Sequence, residues 1–85
     1  MTHSYKTRGT CSRQIDFELD NGIVKNVLFF GGCNGNLKGI GALVEGRSAE
    51  EVIELLKGMT CGFKPTSCPD QLAQALEKAL DDESK

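Results

Sequence analysis

"RQIDFELDNGIVKNVLFF", residues 13–30, decides the fold. Ile15, Phe17 and Leu19 alternate with Gln14, Asp16 and Glu18. A period of two puts the apolar side chains on one face of a strand and the polar ones on the other. Asn21-Gly22 supplies two residues that tolerate positive φ, as a two-residue type I′ turn requires. Ile23 to Phe30, rich in β-branched and aromatic residues, is the predicted return strand. If Asp20 faces Ile23, facing residue numbers add to 43. Leu19 then faces Val24, Glu18 faces Lys25 as an opposite-charge pair, and Ile15 faces Leu28. Carried to the open end of the hairpin, the same rule sets Cys11 opposite Gly32, beside Cys33. A bulge would change the facing partner and still leave the two cysteines neighbours.

Three helices are predicted beyond the hairpin. Leu37, Ile40, Leu43 and Val44 have helical spacing, although Gly39 and Gly41 each weaken such a helix by about 1 kcal/mol against alanine. Glycines there imply close approach to a neighbouring backbone; poor helix formation is the plainer alternative. Gly46 stops that helix. Ser48 and Glu51 form a capping box for the next, whose apolar face is Val52, Ile53, Leu55 and Leu56, and Gly58 stops it. The last helix runs from Pro69 to Leu80, with Leu72, Ala73, Leu76, Ala79 and Leu80 on one face, and residues 81–85 read as a solvated tail. Residues 4–9 are placed as an extension of, or addition to, the sheet. The expected fold class is α+β: a small antiparallel sheet built on a β-hairpin, with about three helices packed on one face in β-β-α-α-α order. Residues 1–85 read as a single domain without internal repeat or linker.

Composition narrows the function classes. The chain has 85 residues, and a domain of this size buries a small core that often needs a disulfide or metal staple. No stretch approaches the roughly 18 apolar residues of a membrane span. The first residues, "MTHSYKTRGTC", contain no apolar run, so no signal peptide is expected and the expected location is cytoplasmic. In that compartment, clustered cysteines bind metal or do redox chemistry more often than they form structural disulfides. A net charge of −2 gives no broad basic footprint, so no nucleic-acid partner is expected.

The four cysteines, Cys11, Cys33, Cys61 and Cys68, carry the candidate chemistry. All are predicted at strand ends or in loops, none on an apolar helix face. Proline is favoured at the first helical position, so Pro69 makes Cys68 the expected N-cap. Unpaired N–H groups and the helix dipole there favour a thiolate, and Cys33, between a strand end and a helix, has a similar setting. Thiolate is the form that binds metal. Cys61 and Cys68 are separated by six residues, "GFKPTS", wider than the spacing of common zinc knuckles. If the last helix packs beside the first, all four thiols meet at one end of the sheet, a donor set for Zn²⁺ or an iron–sulfur cluster. Two alternatives stay open at this point: cysteines as small buried hydrophobes, and a dithiol–disulfide couple. His3 is read as part of a disordered terminus. Lys38, Lys64 and Arg13, near the cysteines, are read as solvated surface, although they could offset thiolate charge or accept an anion. Asn34-Gly35-Asn36 after Gly31-Gly32 lacks the spacing of known phosphate-binding loops.

Thr66-Ser67-Cys68-Pro69-Asp70 spells TSCPD. With Cys11, "FFGGCNGNLKGI", "LVEGRSAEEVIELLKGM" and Cys61, it resembles the small stand-alone four-cysteine proteins of the TSCPD-domain family over nearly the whole chain. The same domain type occurs at the C-terminal end of cobalamin-dependent ribonucleotide reductases. The resemblance therefore implies a link to deoxynucleotide synthesis, with ribonucleotide reductase or another protein as partner. It does not imply reductase activity in this chain, which lacks the large barrel and cobalamin site the radical chemistry needs; the expected role is accessory, not catalytic. In the reductase-borne domains the strand end typically lacks a cysteine at the position of Cys33. The layout of Cys11, Cys33 and Cys68 is also similar to that of the U-type iron–sulfur scaffold proteins, with Ser67-Cys68 where those have His-Cys. Arg13 replaces their acidic residue two places after the first cysteine, and Cys61 has no counterpart there. The expected site is thus Cys11, Cys33, Cys61 and Cys68 around zinc or an iron–sulfur cluster, with a dithiol redox protein or a U-type scaffold as the alternatives.

Overall fold

A computed structural model describes residues 2–9, 12–31, 34–59 and 66–83. Three antiparallel strands, β1 (Thr2–Lys6), β2 (Ser12–Asp20) and β3 (Ile23–Gly31), are followed by three helices, α1 (Asn34–Val44), α2 (Ala49–Leu56) and α3 (Cys68–Glu83). The sheet order is β1-β2-β3. The α+β class and the helical layer on one face are as expected from the sequence. The extra strand lies slightly earlier than predicted, at residues 2–6 rather than within 4–9.

The Asn21-Gly22 turn has both residues at positive φ, 51° and 79°, as type I′ demands. Asp20↔Ile23, Leu19↔Val24 and Glu18↔Lys25 pair as the sum of 43 requires. The register then departs: Asp16 faces Leu28 and Ile15 faces Phe29, so the expected Ile15–Leu28 pair does not form. The physical cause is a bulge at Asn26, whose φ is +54°. Asparagine is among the few non-glycine residues that tolerate this region. Its backbone N–H donates to Glu45 Oε1 at 2.9 Å and its amide to Glu18 Oε2 at 2.6 Å. The extra residue on β3 rotates the faces beyond it: Val27 and Phe29 pack against the core, while Leu28 and Phe30 turn outward. A second irregularity places one extra residue, Arg13, on β2, and the last described pair, Ser12↔Gly31, adds to 43 again. The two insertions cancel.

Ile15, Phe17 and Leu19 from β2 and Val24 from β3 form the sheet side of the core. They meet Val44, Ala49, Val52, Leu72, Ala75, Leu76 and Ala79 from the helices. Each fully buried large side chain contributes about 1.5–3 kcal/mol of burial free energy. His3 is not part of a disordered terminus: it lies in β1, its ring stacks on Phe17 with centroids 5.4 Å apart, and Nε2 hydrogen-bonds Glu83 at 2.6 Å. That contact lies beyond Leu80 because α3 continues to Glu83; Asp81, Asp82 and Glu83 are helical and exposed.

The two sheet edges differ. The first residues of the β3 edge are covered by the α1–α2 connection: Val24 N–H donates to Arg47 O and Gly46 N–H to Val24 O, each at 2.8 Å, and Ala49 N–H donates to Gly22 O at 2.7 Å. Ser48 bridges to Ile23 and also caps α2, its hydroxyl accepting from Glu51 N–H. Glu51's carboxylate turns to Arg47 instead of completing the box. At the β1 edge, no strand pairs with the outer side of β1 among the described residues.

Gly39 and Gly41 of α1 separate cleanly. A Cβ on Gly41 would lie 3.1 Å from Val27 O, so the helix approaches β3 as closely as glycine permits; a Cβ on Gly39 would meet nothing within 4 Å. Gly39→Ala is therefore expected to raise stability by about 1 kcal/mol, the propensity difference alone. Gly41→Ala gives no such gain, because the helix must back away from a carbonyl. Denaturant unfolding of the two variants checks this; equal gains would contradict the close approach.

Candidate functional site

Of the four cysteines, Cys68 is described and buried. Cys11, Cys33 and Cys61 lie outside the described residues, as do Lys64 and the predicted Cys11–Gly32 pairing. The site is therefore built from Cys68 and from the described residues that flank the other three.

Cys68 is not the N-cap of α3. Ser67 is: its Oγ accepts from Asp70 N–H at 3.2 Å, and its carbonyl accepts the first intrahelical bond from Gln71 N–H at 2.8 Å. Cys68 is the first helical residue and Pro69 the second. Serine's hydroxyl satisfies an orphan N–H, which a proline preference cannot do, so the cap falls one residue earlier than the proline suggested. Cys68 stays in the first turn, where the dipole favours negative charge.

Asp70 is the hub of this turn. It is 5% exposed. Its Oδ1 accepts the Gly58 N–H at 2.7 Å, and its Oδ2 accepts the Thr66 hydroxyl and the Gln74 amide, the latter at 2.8 Å. Burial on its own would raise the carboxyl. The hydrogen bonds from Thr66, Gly58 and Gln74, with the Lys57 charge, outweigh it and hold Asp70 below the usual carboxylate range. Thr66 Oγ1 in turn accepts from Gln71 Nε2 at 3.0 Å, and Gln71 Oε1 accepts the Arg8 N–H at 3.1 Å. Ser67 Oγ donates to Met59 O at 2.7 Å. Gly9 lies so close that a Cβ there would sit 3.1 Å from the Thr66 methyl. No buried side-chain N or O atom among the described residues lacks a hydrogen-bond partner.

This network ties three chain segments together: 8–9 after β1, 58–59 after α2, and the first turn of α3. Separately, Ser12↔Gly31 pairs the start of β2 with the end of β3. The helices do not meet as supposed from sequence, since the principal neighbour of α3 is α2 and α1 lies on β3. The contacts that reach the start of α3 come instead from the connections at 8–9 and 58–59. Asp70, Thr66, Ser67 and Gln71 were not foreseen as site residues. The Ser-x-x-Asp spacing was available as a capping signal, but nothing local announces that the aspartate is buried.

The pH dependence follows. The folded-state pKa of Asp70 is lowered, so its stabilisation is fully present above the unfolded value of about 4 and is lost as pH falls through the folded value. The stability gap between the native chain and Asp70→Asn is expected to be constant near neutrality and to shrink below about pH 4. Denaturant midpoints of both proteins from neutral to acid pH measure it.

In comparison with known proteins, the family model described as the TSCPD domain matches residues 1–80. No curated protein and no solved structure matches the chain. In the described residues no helix is long and apolar enough to cross a membrane.

Proposed function

This chain belongs to the TSCPD-domain family, and from that premise we propose that it is a metal-binding module in which Cys11, Cys33, Cys61 and Cys68 together hold one Zn²⁺ or one iron–sulfur cluster. The observation that carries the reading is a set of contacts, two at the start of α3 and one at the open end of the hairpin. Gly9 touches Thr66, Met59 is bonded to Ser67, and Ser12 pairs with Gly31. Cys11, Cys61 and Cys33 each follow one of these tied residues, Gly9, Met59 and Gly31, by two positions. Two residues reach roughly 7 Å, which keeps a meeting of the thiols within the reach of the chain. Four thiols with one in a buried first helical turn are a donor set that suits zinc or a cluster. A tetrathiolate zinc supplies a cross-link with no open position; a cluster adds the capacity to carry an electron.

The role that fits the family is accessory: a small module acting beside ribonucleotide reductase in deoxynucleotide synthesis. Elemental analysis and an absorption spectrum of protein purified without chelators test the metal. One equivalent of zinc in a colourless sample, or iron with visible absorption, supports the reading, and Cys68→Ser should lower the content sharply. Trace metal with four titratable thiols would sink it. If those thiols then cycled reversibly to disulfides, the dithiol reading would replace it. Co-elution of the loaded protein with a reductase that lacks such a domain tests the partner separately.

A further inference from the structure

The open edge of β1 lies beside a concentration of unpaired positive charge. Three of the eight described lysines and arginines, Lys25, Arg47 and Lys57, are paired with carboxylates. Of the five that form no ion pair among the described residues, three line one cleft: Lys6, Arg8 and Lys78. Ser4 and Tyr5 complete it, and its volume is about 570 Å³. All three cationic side chains are exposed. Asp82 lines the adjoining cleft with Lys78 but forms no ion pair with it.

The backbone beneath these charges is available too. Thr7 N–H donates to Arg13 O, and the β1–β2 register pairs Tyr5 with Ile15 and His3 with Phe17. In an antiparallel ladder the hydrogen-bonded pairs alternate, so Thr7, Tyr5 and His3 point their N–H and C=O groups toward β2. Ser4 and Lys6 point theirs outward. Edge lysines commonly serve only to discourage strand pairing. Here, however, a helix adds Lys78 from outside the strand, the connection adds Arg8, and among the described residues none of the three forms an ion pair.

We infer that the β1 edge binds an extended acidic segment of a partner protein, which adds to the sheet as a fourth strand. Main-chain bonds to Ser4 and Lys6 supply the strand geometry, and Lys6, Arg8 and Lys78 select glutamate or aspartate side chains. The opposite edge is already taken at Gly22–Val24, where residues 46–49 bond it. This inference is independent of whether the cysteines hold a metal.

The test uses the full chain and a capped peptide of alternating glutamate and valine. Amide spectra should show saturable binding that slows hydrogen exchange at Ser4 and Lys6. The double variant Lys6→Glu, Lys78→Glu should weaken binding by roughly tenfold or more. Neither side chain has an ion-pair partner among the described residues, so the variant should keep its melting temperature. A control peptide with proline at every second position, lacking those N–H groups, should not bind. The proposal is overturned by no binding, by unchanged affinity in the double variant, by full binding of the proline peptide, or by equal binding of inorganic phosphate or a short single-stranded oligonucleotide.

Discussion

Replacing Asp70 with alanine is expected to lower stability by about 3 kcal/mol. The carboxylate accepts from Gly58 N–H, the Thr66 hydroxyl and the Gln74 amide. Truncation removes, at a buried position, the acceptor that all three donors share. The effect should spread, because Thr66 also accepts from Gln71, and Gln71 holds the Arg8 N–H. For a chain of this size, 1 kcal/mol moves the melting temperature by roughly 4–8 °C, so a loss of about 12–24 °C is expected. Asp70→Asn keeps the shape and one acceptor oxygen and should cost about half as much. Thermal unfolding of both variants measures the pair. A loss under about 1 kcal/mol for alanine would mean that the hydrogen-bonded hub carries no net stability.

The second large effect is Phe17→Ala, expected to cost about 3–5 kcal/mol. Phe17 is 1% exposed and is the largest fully buried side chain among the described residues. It fills the centre of β2's inner face, and its ring carries His3, so the cavity would open beneath β1 as well as within the core. Against a typical total of 5–15 kcal/mol, such a loss leaves a substantial unfolded population at modest temperature. Phe17→Leu keeps most of the volume and should cost far less. Chemical denaturation with both variants distinguishes a packing effect from a local one: a packing effect moves the midpoint and leaves the slope unchanged.

What was legible in the sequence follows a physical line. The β2 alternation, the Asn21-Gly22 turn, the Ser48 cap and the α3 apolar face all rest on nearest-neighbour chemistry, and all appear in the fold. The Asn26 bulge was not legible. Nothing in "VKNVLFF" distinguishes an asparagine in a regular strand from one at positive φ until Glu45 and Glu18 are in place to bond it. His3 was misjudged for the same reason: its partners, Phe17 and Glu83, are distant in sequence. Within the site, the family signature stood out as letters. Its physical content did not, because Asp70's role depends on Gly58, and the docking of segment 8–9 depends on Gln71. One expectation from the cap was displaced rather than lost, since Cys68 remains in the first turn of α3.

The paired insertions at Asn26 and Arg13 have a further consequence. Where the far end of the hairpin falls depends only on the difference between the two strands' lengths, not on either length. The hairpin therefore acts as a vernier: deleting Asn26 alone would slide the Ser12–Gly31 end by one residue, while deleting Asn26 and Arg13 together would return it to alignment. Sequence drift in the middle of the hairpin can be corrected locally, before the error reaches the end from which Cys11 and Cys33 depart.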